Sequence, residues 1–362
     1  MKIVIKVGTS TLTDKNGLLN KKYISQLAKT AAAMQKDGNE MLIVSSGAIG
    51  AGLGHLKLKT RPANLREKQA LAAVGQPLIM NAYGEAFLAY GLTVAQVLLT
   101  RGDFDDRVKY INARNTLCQL IDNNIIPVIN ENDTVAVEEI NFGDNDTLAA
   151  LVASAVGADK LVILTDVDGL YESMSPKAKL ISKIDKITSE IEAFASSKSS
   201  SGKGAGGMKT KISAAKIAVA SGIDTVIANG SKLDLLKNII EKKESGTHFS
   251  AQKRRLKAKK SWIAFGKKPK GVLAVDKRAA QALTAAGKSL LAAGIVKVSG
   301  CFKRGDTVTV CDADLKKDFA VGLVNFDSGD MCKIKGMKSK DIKKIIETDE
   351  EEVIHRDNLV II

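Results

Sequence analysis

Two lysines stand beside glycines in segments that could face a phosphate. Lys6 closes the apolar run 2–7, in Lys6-Val7-Gly8-Thr9-Ser10. Gly8 lets backbone amides come close to a phosphate, and the Lys6 ammonium can neutralise charge moving onto it. Gly206-Gly207-Met208-Lys209-Thr210-Lys211 ends a Ser/Gly/Lys-rich stretch and opens a helical one. It does not match G-x-x-x-x-G-K-[ST], but a Gly-rich loop before a helix can cradle phosphate, and Lys211 would stand in the first turn. Singly, these are a strand-end lysine beside a turn glycine and a common kind of loop. Together, from separate loops, Lys6 and Lys211 would flank a transferring phosphoryl group. That chemistry needs positioning and charge neutralisation more than a covalent nucleophile.

Ser46-Gly47 lies in SSGAIGAG (45–52). A nucleophile elbow needs G-x-S-x-G, and Val44 occupies the first Gly position. None of the three histidines is placed to activate Ser46. A hydroxyl and backbone amides at a helix N-terminus suit a carboxylate instead; the plainer reading is an N-cap serine. Asn130-Glu131-Asn132-Asp133 and Gly143-Asp144-Asn145-Asp146 are two acid- and amide-rich loops. They suit an ammonium group or the organisation of lysines. The calcium-loop spacing is not matched, and solvated turns are the plainer reading.

The elements that would position these residues alternate. Short β-rich runs at 2–7, 41–47, 92–100, 125–133, 160–169 and 224–230 are separated by helical stretches at 21–37, 110–123, 148–158 and 208–221. Alternation of this kind predicts βαβ units and a largely parallel sheet with helices on both faces. Its strands end in GTS, SSG, NEND and TDVDG, so one sheet edge would be lined by small and polar residues, where such sheets bind ligands. Residues 196–207 are Ser/Gly/Lys-rich and predict a mobile segment. Residues 253–270 hold nine Lys or Arg and no acid, which reads as a linker or basic arm. Beyond them, VKVSG, DTVTVCD, FAVGLVNF and DNLVII predict a small, mostly β domain, after a helix near 276–286. The expected organisation is 1–250 for the first domain, 251–270 for the basic linker and 271–362 for the second domain.

Composition narrows the classes. A chain of 362 residues corresponds to about two domains. Hydrophobic residues at 45% and charged residues at 26% exclude disorder as the main state. No uncharged apolar run approaches the ~20 residues a bilayer requires, so no membrane span is expected, and the start has no apolar stretch long enough for a signal peptide. The four cysteines form no C-x-x-C pair, which argues against zinc and a disulfide framework and for a reducing cytoplasm. Net charge +14 predicts affinity for polyanions or phosphorylated substrates. Aromatic content of 4% leaves little for stacking single-stranded nucleic acid.

Taken in order, KVGTS (6–10), SSGAIGAG (45–52), LAAVGQ (71–76), LLTRGD (98–103), NARNTL (112–117), PVINEND (127–133), GDNDTL (143–148), GADKLVILTDVDGLY (157–171) and GGMKTK (206–211) resemble the amino acid kinase family, in its glutamate-phosphorylating members. VDKRAAQAL (275–283) and SLLAAGIVKVSGCFKRGD (289–306) resemble a PUA domain, an RNA-binding module. The resemblance implies a three-layer α/β/α kinase fold with a mainly parallel sheet, plus a PUA-like C-terminal domain. It implies phosphorylation of L-glutamate by ATP to L-glutamyl 5-phosphate, the first step of proline biosynthesis. Mg²⁺ would bridge the ATP phosphates, with no protein metal site assigned. By position, Lys6 and Lys211 match the catalytic lysines and Asp146 the carboxylate that holds them. Ser46, Gly47, Asp133, Asp144 and Asn145 match glutamate-binding positions. Lys6, Gly8, Thr165, Asp166, Ala205, Gly206, Gly207, Met208, Lys209, Thr210 and Lys211 match the ATP-binding loops. The γ-carboxylate is a competent nucleophile at neutral pH, so no general base is required. The resemblance further implies proline as a feedback inhibitor, a homodimer or homotetramer, RNA as a partner of the C-terminal domain, and a glutamyl phosphate reductase as consumer of the product. Thr147 and Lys209 depart from the residues frequent there, as does SGDMCKIKGMKS (328–339) in the PUA-like part. Two other readings remain open at this stage: a kinase of the same fold acting on N-acetylglutamate or aspartate, and an RNA-binding or RNA-modifying protein.

Overall fold

The computed structural model describes residues 1–362 apart from 15–17, 59, 61, 137–144, 174–177, 197–206, 234, 242–244, 252–257 and 315–316. The chain forms two compact units, Met1–Arg255 and Leu256–Ile362.

The first unit is built on a sheet of β1 (Lys2–Val7), β2 (Glu40–Val44), β3 (Val94–Leu99), β4 (Ile126–Glu131), β5 (Lys160–Thr165), β6 (Lys183–Ile184), β7 (Asp224–Asn229) and β8 (Thr247–Phe249). Their order is β3-β4-β2-β1-β5-β7-β8-β6. Every neighbouring pair is parallel except β7 with β8. The helices that connect them are α1 (Thr9–Leu12), α2 (Lys21–Lys36), α3 (Ala48–His55), α4 (Leu65–Leu88), α5 (Arg101–Asp105), α6 (Arg107–Asp122), α7 (Asn145–Val156), α8 (Ser189–Ser196), α9 (Met208–Ala220) and α10 (Leu235–Ile240). This is the mainly parallel α/β arrangement that the alternating pattern predicts.

The central strands are buried along their whole length. β4 and β5 have no exposed residue, and β1 buries Ile3 to Val7. Unbroken apolar runs such as KLVILT suit strands covered on both faces, where no alternation with polar residues is needed. In α2 the spacing of Ile24, Leu27, Ala28, Ala31 and Met34 places all five in the core, and the Asn20 side chain caps the helix by accepting from the Tyr23 amide. Because β1, β2, β4 and β5 are parallel, their carboxyl ends share one edge of the sheet. Helices α3, α7 and α9 start at that edge.

Helix α4 is not marked by the hydrophobic pattern. Its apolar residues are spread around the helix, and Gly75 and Pro77 interrupt it. Its place is decided by contact with α3. A Cβ on Gly75 would run into the Ala48 carbonyl, and one on Gly52 would run into the Leu71 carbonyl. Two glycines on facing helices therefore allow the backbones to touch, and side chains on α4 reach the carboxyl edge of the sheet.

In the second unit, β9 (Gly271–Val275), β10 (Ile295–Gly300), β11 (Thr307–Asp312), β12 (Asp318–Leu323) and β13 (Leu359–Ile361) form a sheet in the order β10-β9-β11-β12-β13. Only the β9–β11 pair among these neighbours is parallel. Leu273, Val275, Val308, Val310 and Ala320 lie in its core with Leu283 of α12 (Lys277–Ala286). The basic stretch departs from the linker expected over 251–270. Residues 258–266 are helical, as α11 (Ala258–Ser261) followed by a π-helical turn at Trp262–Gly266, and Trp262 and Ile263 are buried against this unit. The Lys267 ammonium lies 5.3 Å from the Trp262 ring centroid. Apolar side chains inside the run outweigh its charge. The expected mobility of 196–207 falls almost wholly outside the described residues.

Gly75→Ala must separate α3 and α4 or distort them. Overpacking of this kind typically costs about 1–3 kcal/mol, to be read as a lower urea midpoint at constant m-value; an unchanged midpoint would show that the helices part freely.

Candidate active site

The carboxyl edge of the sheet brings together three charged side chains that are far apart in sequence. Lys6 comes from the end of β1, Asp146 from the first turn of α7 and Lys211 from the first turn of α9. Lys6 Nζ lies 2.6 Å from Asp146 Oδ1, and Lys211 Nζ lies 2.9 Å from Asp146 Oδ2. All three are buried, with exposures of 6% for each lysine and 0% for Asp146. Burial alone would raise the Asp146 carboxyl, but the two ammonium charges and their hydrogen bonds hold it well below the ordinary carboxylate range. The Thr210 hydroxyl is 3.1 Å from Asp146 Oδ2 and 2.8 Å from the Gly207 carbonyl oxygen.

The three charges of this bridge sum to +1, and all three groups are buried. Buried charge is costly unless matched, so the arrangement suits an anion that completes the balance. Gly8 borders the same place: a Cβ there would sit 3.9 Å from Lys6 Nζ and 3.5 Å from the Leu164 carbonyl. Thr165 ends β5 in the adjacent register and is buried, with its hydroxyl 3.1 Å from Asp166 Oδ1. Gly207 is the N-cap of α9 in extended backbone, Met208 is buried and Lys209 is exposed.

Beside the charged bridge lies a neutral set. The Asn145 amide nitrogen donates to Ser46 Oγ at 2.8 Å and to Asn130 Oδ1 at 3.1 Å. Ser46 precedes Gly47, whose φ of 94° starts α3. That left-handed backbone is a conformation side chains other than Gly rarely adopt. Asp133 is half-buried in the turn that follows β4, where the Val135 and Ala136 amides donate to the Asn132 carbonyl. Asp144, Ala205 and Gly206 lie outside the described residues. The structure thus gathers Lys6, Lys211, Asp146, Thr210, Ser46 and Asn145 at hydrogen-bonding distance within two adjoining groups. No contact joins Asp166 or Lys209 to the bridge among the described interactions.

Residues 1–229 match the model of the amino acid kinase family, and residues 271–346 match the PUA domain. Among curated relatives, the glutamate 5-kinase of Caldanaerobacter subterraneus subsp. tengcongensis is 49% identical, over 100% of this chain and 98% of its own. The chain belongs to the amino acid kinase family, among its glutamate 5-kinases. The glutamate 5-kinases of Desulfotalea psychrophila and Nostoc punctiforme are each 46% identical, over 100% and 99% of this chain and 96% and 99% of their own. A solved carbamate kinase from Giardia lamblia bound to AMP-PNP superposes with a TM-score of 0.50 at 18% identity, over 69% of this chain and 98% of that one; this likeness shows the fold.

Gln76, which closes the LAAVGQ motif, and Gln96 have no role assigned from the sequence, and Asn130 enters there only as part of an acid- and amide-rich loop. Asn130 Nδ2 donates to Gln76 Oε1 at 2.7 Å, and Gln76 Nε2 donates to Gln96 Oε1 at 3.1 Å. The available signal was a glutamine among apolar residues in LAAVGQPLIM, which is weak without knowing what α4 packs against.

Asp146→Asn would remove the carboxylate that both buried ammonium groups share. Breaking such a pair destabilises by about 3–5 kcal/mol at neutral pH. The folded Asp146 carboxyl titrates below its unfolded value of ~3.9, so its stabilisation is full well above that pH, starts to fade near it and is lost as pH falls on through the folded value. Urea unfolding should show the gap between the two proteins narrowing between pH 6 and pH 3, and a constant gap would place the charge outside the balance.

Proposed function

We propose that this chain transfers the γ-phosphoryl group of ATP to the γ-carboxylate of L-glutamate, forming L-glutamyl 5-phosphate and ADP, the first step of proline biosynthesis. The observation that carries this is the buried Lys6–Asp146–Lys211 bridge, which offers two cations to one anionic group. Full-length identity of 46–49% to glutamate 5-kinases supports the substrate.

A γ-carboxylate oxygen attacks the γ-phosphorus as the bond to the β,γ-bridging oxygen breaks. The electron pair leaves on ADP, and no proton need move. Charge gathers on the equatorial and bridging oxygens, where Lys6 and Lys211 stabilise it. Asp146 holds both lysines in position. Ser46, Gly47, Asn145, Asp133 and Asp144 bind glutamate. Gly8, Thr165, Asp166 and the segment Ala205–Lys211 hold the nucleotide. Mg²⁺ bound with the ATP phosphates would neutralise part of their charge. Both Asp146 oxygens are held by lysines, which leaves the ATP phosphates to carry the metal.

The same reading includes inhibition by proline, a homodimer or homotetramer, a cytoplasmic location, and a reductase that takes the labile acyl phosphate. RNA as a ligand of the C-terminal domain is supported by the PUA match and the net charge of +14. No helix among the described residues is long and apolar enough to cross a membrane.

With Mg·ATP and hydroxylamine, hydroxamate is expected from L-glutamate and not from N-acetylglutamate or L-aspartate. Product from one of those acids instead would keep the chemistry and change the substrate. Lys6→Ala and Lys211→Ala should each lower kcat by ~10²–10³-fold, and an effect confined to KM would remove them from the transition state. Asp133→Ala should chiefly raise KM for glutamate; an unmoved KM would take it out of the substrate site.

A further inference from the structure

The hydrogen bonds among the buried amides next to the bridge have a fixed direction. The Glu131 backbone N–H can only donate, and Asn130 Oδ1 accepts it at 2.9 Å. That settles which end of the Asn130 amide is oxygen, an assignment that is otherwise ambiguous. Asn130 Nδ2 must then face an acceptor, and Gln76 Oε1 is that acceptor at 2.7 Å. The Gln76 amide is oriented in turn, with its nitrogen on Gln96 Oε1 at 3.1 Å.

On the other side, Asn130 Oδ1 takes a second hydrogen bond from Asn145 Nδ2, and the other Asn145 N–H goes to Ser46 Oγ. Both Asn145 donors are used. Its Oδ1 is buried, with no hydrogen-bond partner among the described residues. Ser46 Oγ is an acceptor here, so its own hydrogen is left to donate. The chain Gln96–Gln76–Asn130–Asn145–Ser46 therefore ends in one unsatisfied acceptor and one free donor. These complement the ammonium and the carboxylate of a free amino acid. A buried acceptor without a partner is costly, and a donor on the ligand relieves it.

We propose that Gln76 is a positioning residue for the amino-acid substrate: it holds Asn130, and through Asn130 it keeps Asn145 Oδ1 and the Ser46 hydroxyl facing glutamate. The inference rests on the glutamate-phosphorylating reading above. Gln76 is well placed for this. It is 8% exposed and Asn130 1%, and it follows Gly75, the contact that lets α4 close on α3. The role is separate from the Lys6–Asp146–Lys211 bridge, to which Gln76 makes no hydrogen bond.

The test is steady-state kinetics of the full chain with L-glutamate and Mg·ATP, alongside thermal unfolding. Gln76→Met keeps the side-chain length and removes the acceptor. It should raise KM for glutamate about tenfold, the equivalent of one oriented hydrogen bond, with KM for ATP unchanged and kcat within about threefold. Gln76→Glu should restore KM for glutamate to within about threefold of the wild type, because a carboxylate still accepts from Asn130 and the exposed Gln96 can turn its amide to donate. A merely structural role would lower the unfolding temperature and move both KM values together, and that result overturns the proposal. So does an unchanged KM for glutamate in Gln76→Met. Should that variant not fold, Gln96→Leu, at the exposed end of the chain, should raise KM for glutamate about threefold and leave KM for ATP alone; no change there also overturns it. A wild-type protein that forms no hydroxamate from glutamate overturns the functional reading, and this proposal with it, whereas an active wild type with indifferent variants overturns the positioning alone.

Discussion

One carboxylate holding two ammonium groups in a place closed to water is the constraint around which the N-terminal unit is arranged. Asp146, Lys6 and Lys211 come from three elements and meet within 2.6–2.9 Å. Removing Asp146 would leave two like charges facing each other in a medium that screens charge poorly, and removing either lysine would take away one of the two hydrogen bonds that fix the carboxylate. The backbone must therefore deliver all three to one point. A parallel sheet does this economically, because β1 ends where α7 and α9 begin. On the proposed mechanism, the excess of cations in this bridge meets the transferred phosphoryl group. Under the proposed function, stability and catalysis would draw on the same electrostatic arrangement.

The neutral amides next to this bridge solve a different problem. An amino-acid substrate presents donors and acceptors together, and a site for it must show the right polarity at each point. Asparagine and glutamine can be turned either way, so something must fix them. Here that is the Glu131 N–H, a donor that belongs to the backbone of β4 and cannot be reversed. Its influence passes along side chains from β4, α4 and α7. The glycine contact between α3 and α4 is part of the same device, since a wider spacing would take Gln76 out of reach of Asn130. Packing and hydrogen bonding are coupled through two glycines that carry no polar group.

The second unit shows how charge density misleads. Nine basic residues between 253 and 270 read as a solvated arm. Within them, WIAFG offers Trp262 and Ile263, which are buried against the C-terminal sheet. Lysine stems can lie along apolar surface with the ammonium in water, and Lys267 over Trp262 is an instance. A basic run with an apolar core can therefore fold as part of a domain rather than separate two.

What the sequence determined by itself was local and periodic. Unbroken runs such as KLVILT and IIPVIN define central strands of a parallel sheet, and the spacing from Ile24 to Met34 defines a helix, because burial on both faces or on one stripe leaves a pattern in consecutive residues. Lys6, Lys211, Asp146, Ser46 and Asn145 each had a plainer structural reading, and it was their ordered combination, in its resemblance to a family, that singled them out. Tertiary structure alone decided the partners. That Asp146 binds both lysines and that Gln76 reaches Asn130 are contacts between residues 54 to 140 positions apart, and α4 runs as one helix across Pro77 against α3. Such contacts depend on how closely backbones approach, which for α3 and α4 is set by the missing side chains of Gly52 and Gly75. An absent Cβ leaves no periodic trace, so only the folded chain reveals what it brings together.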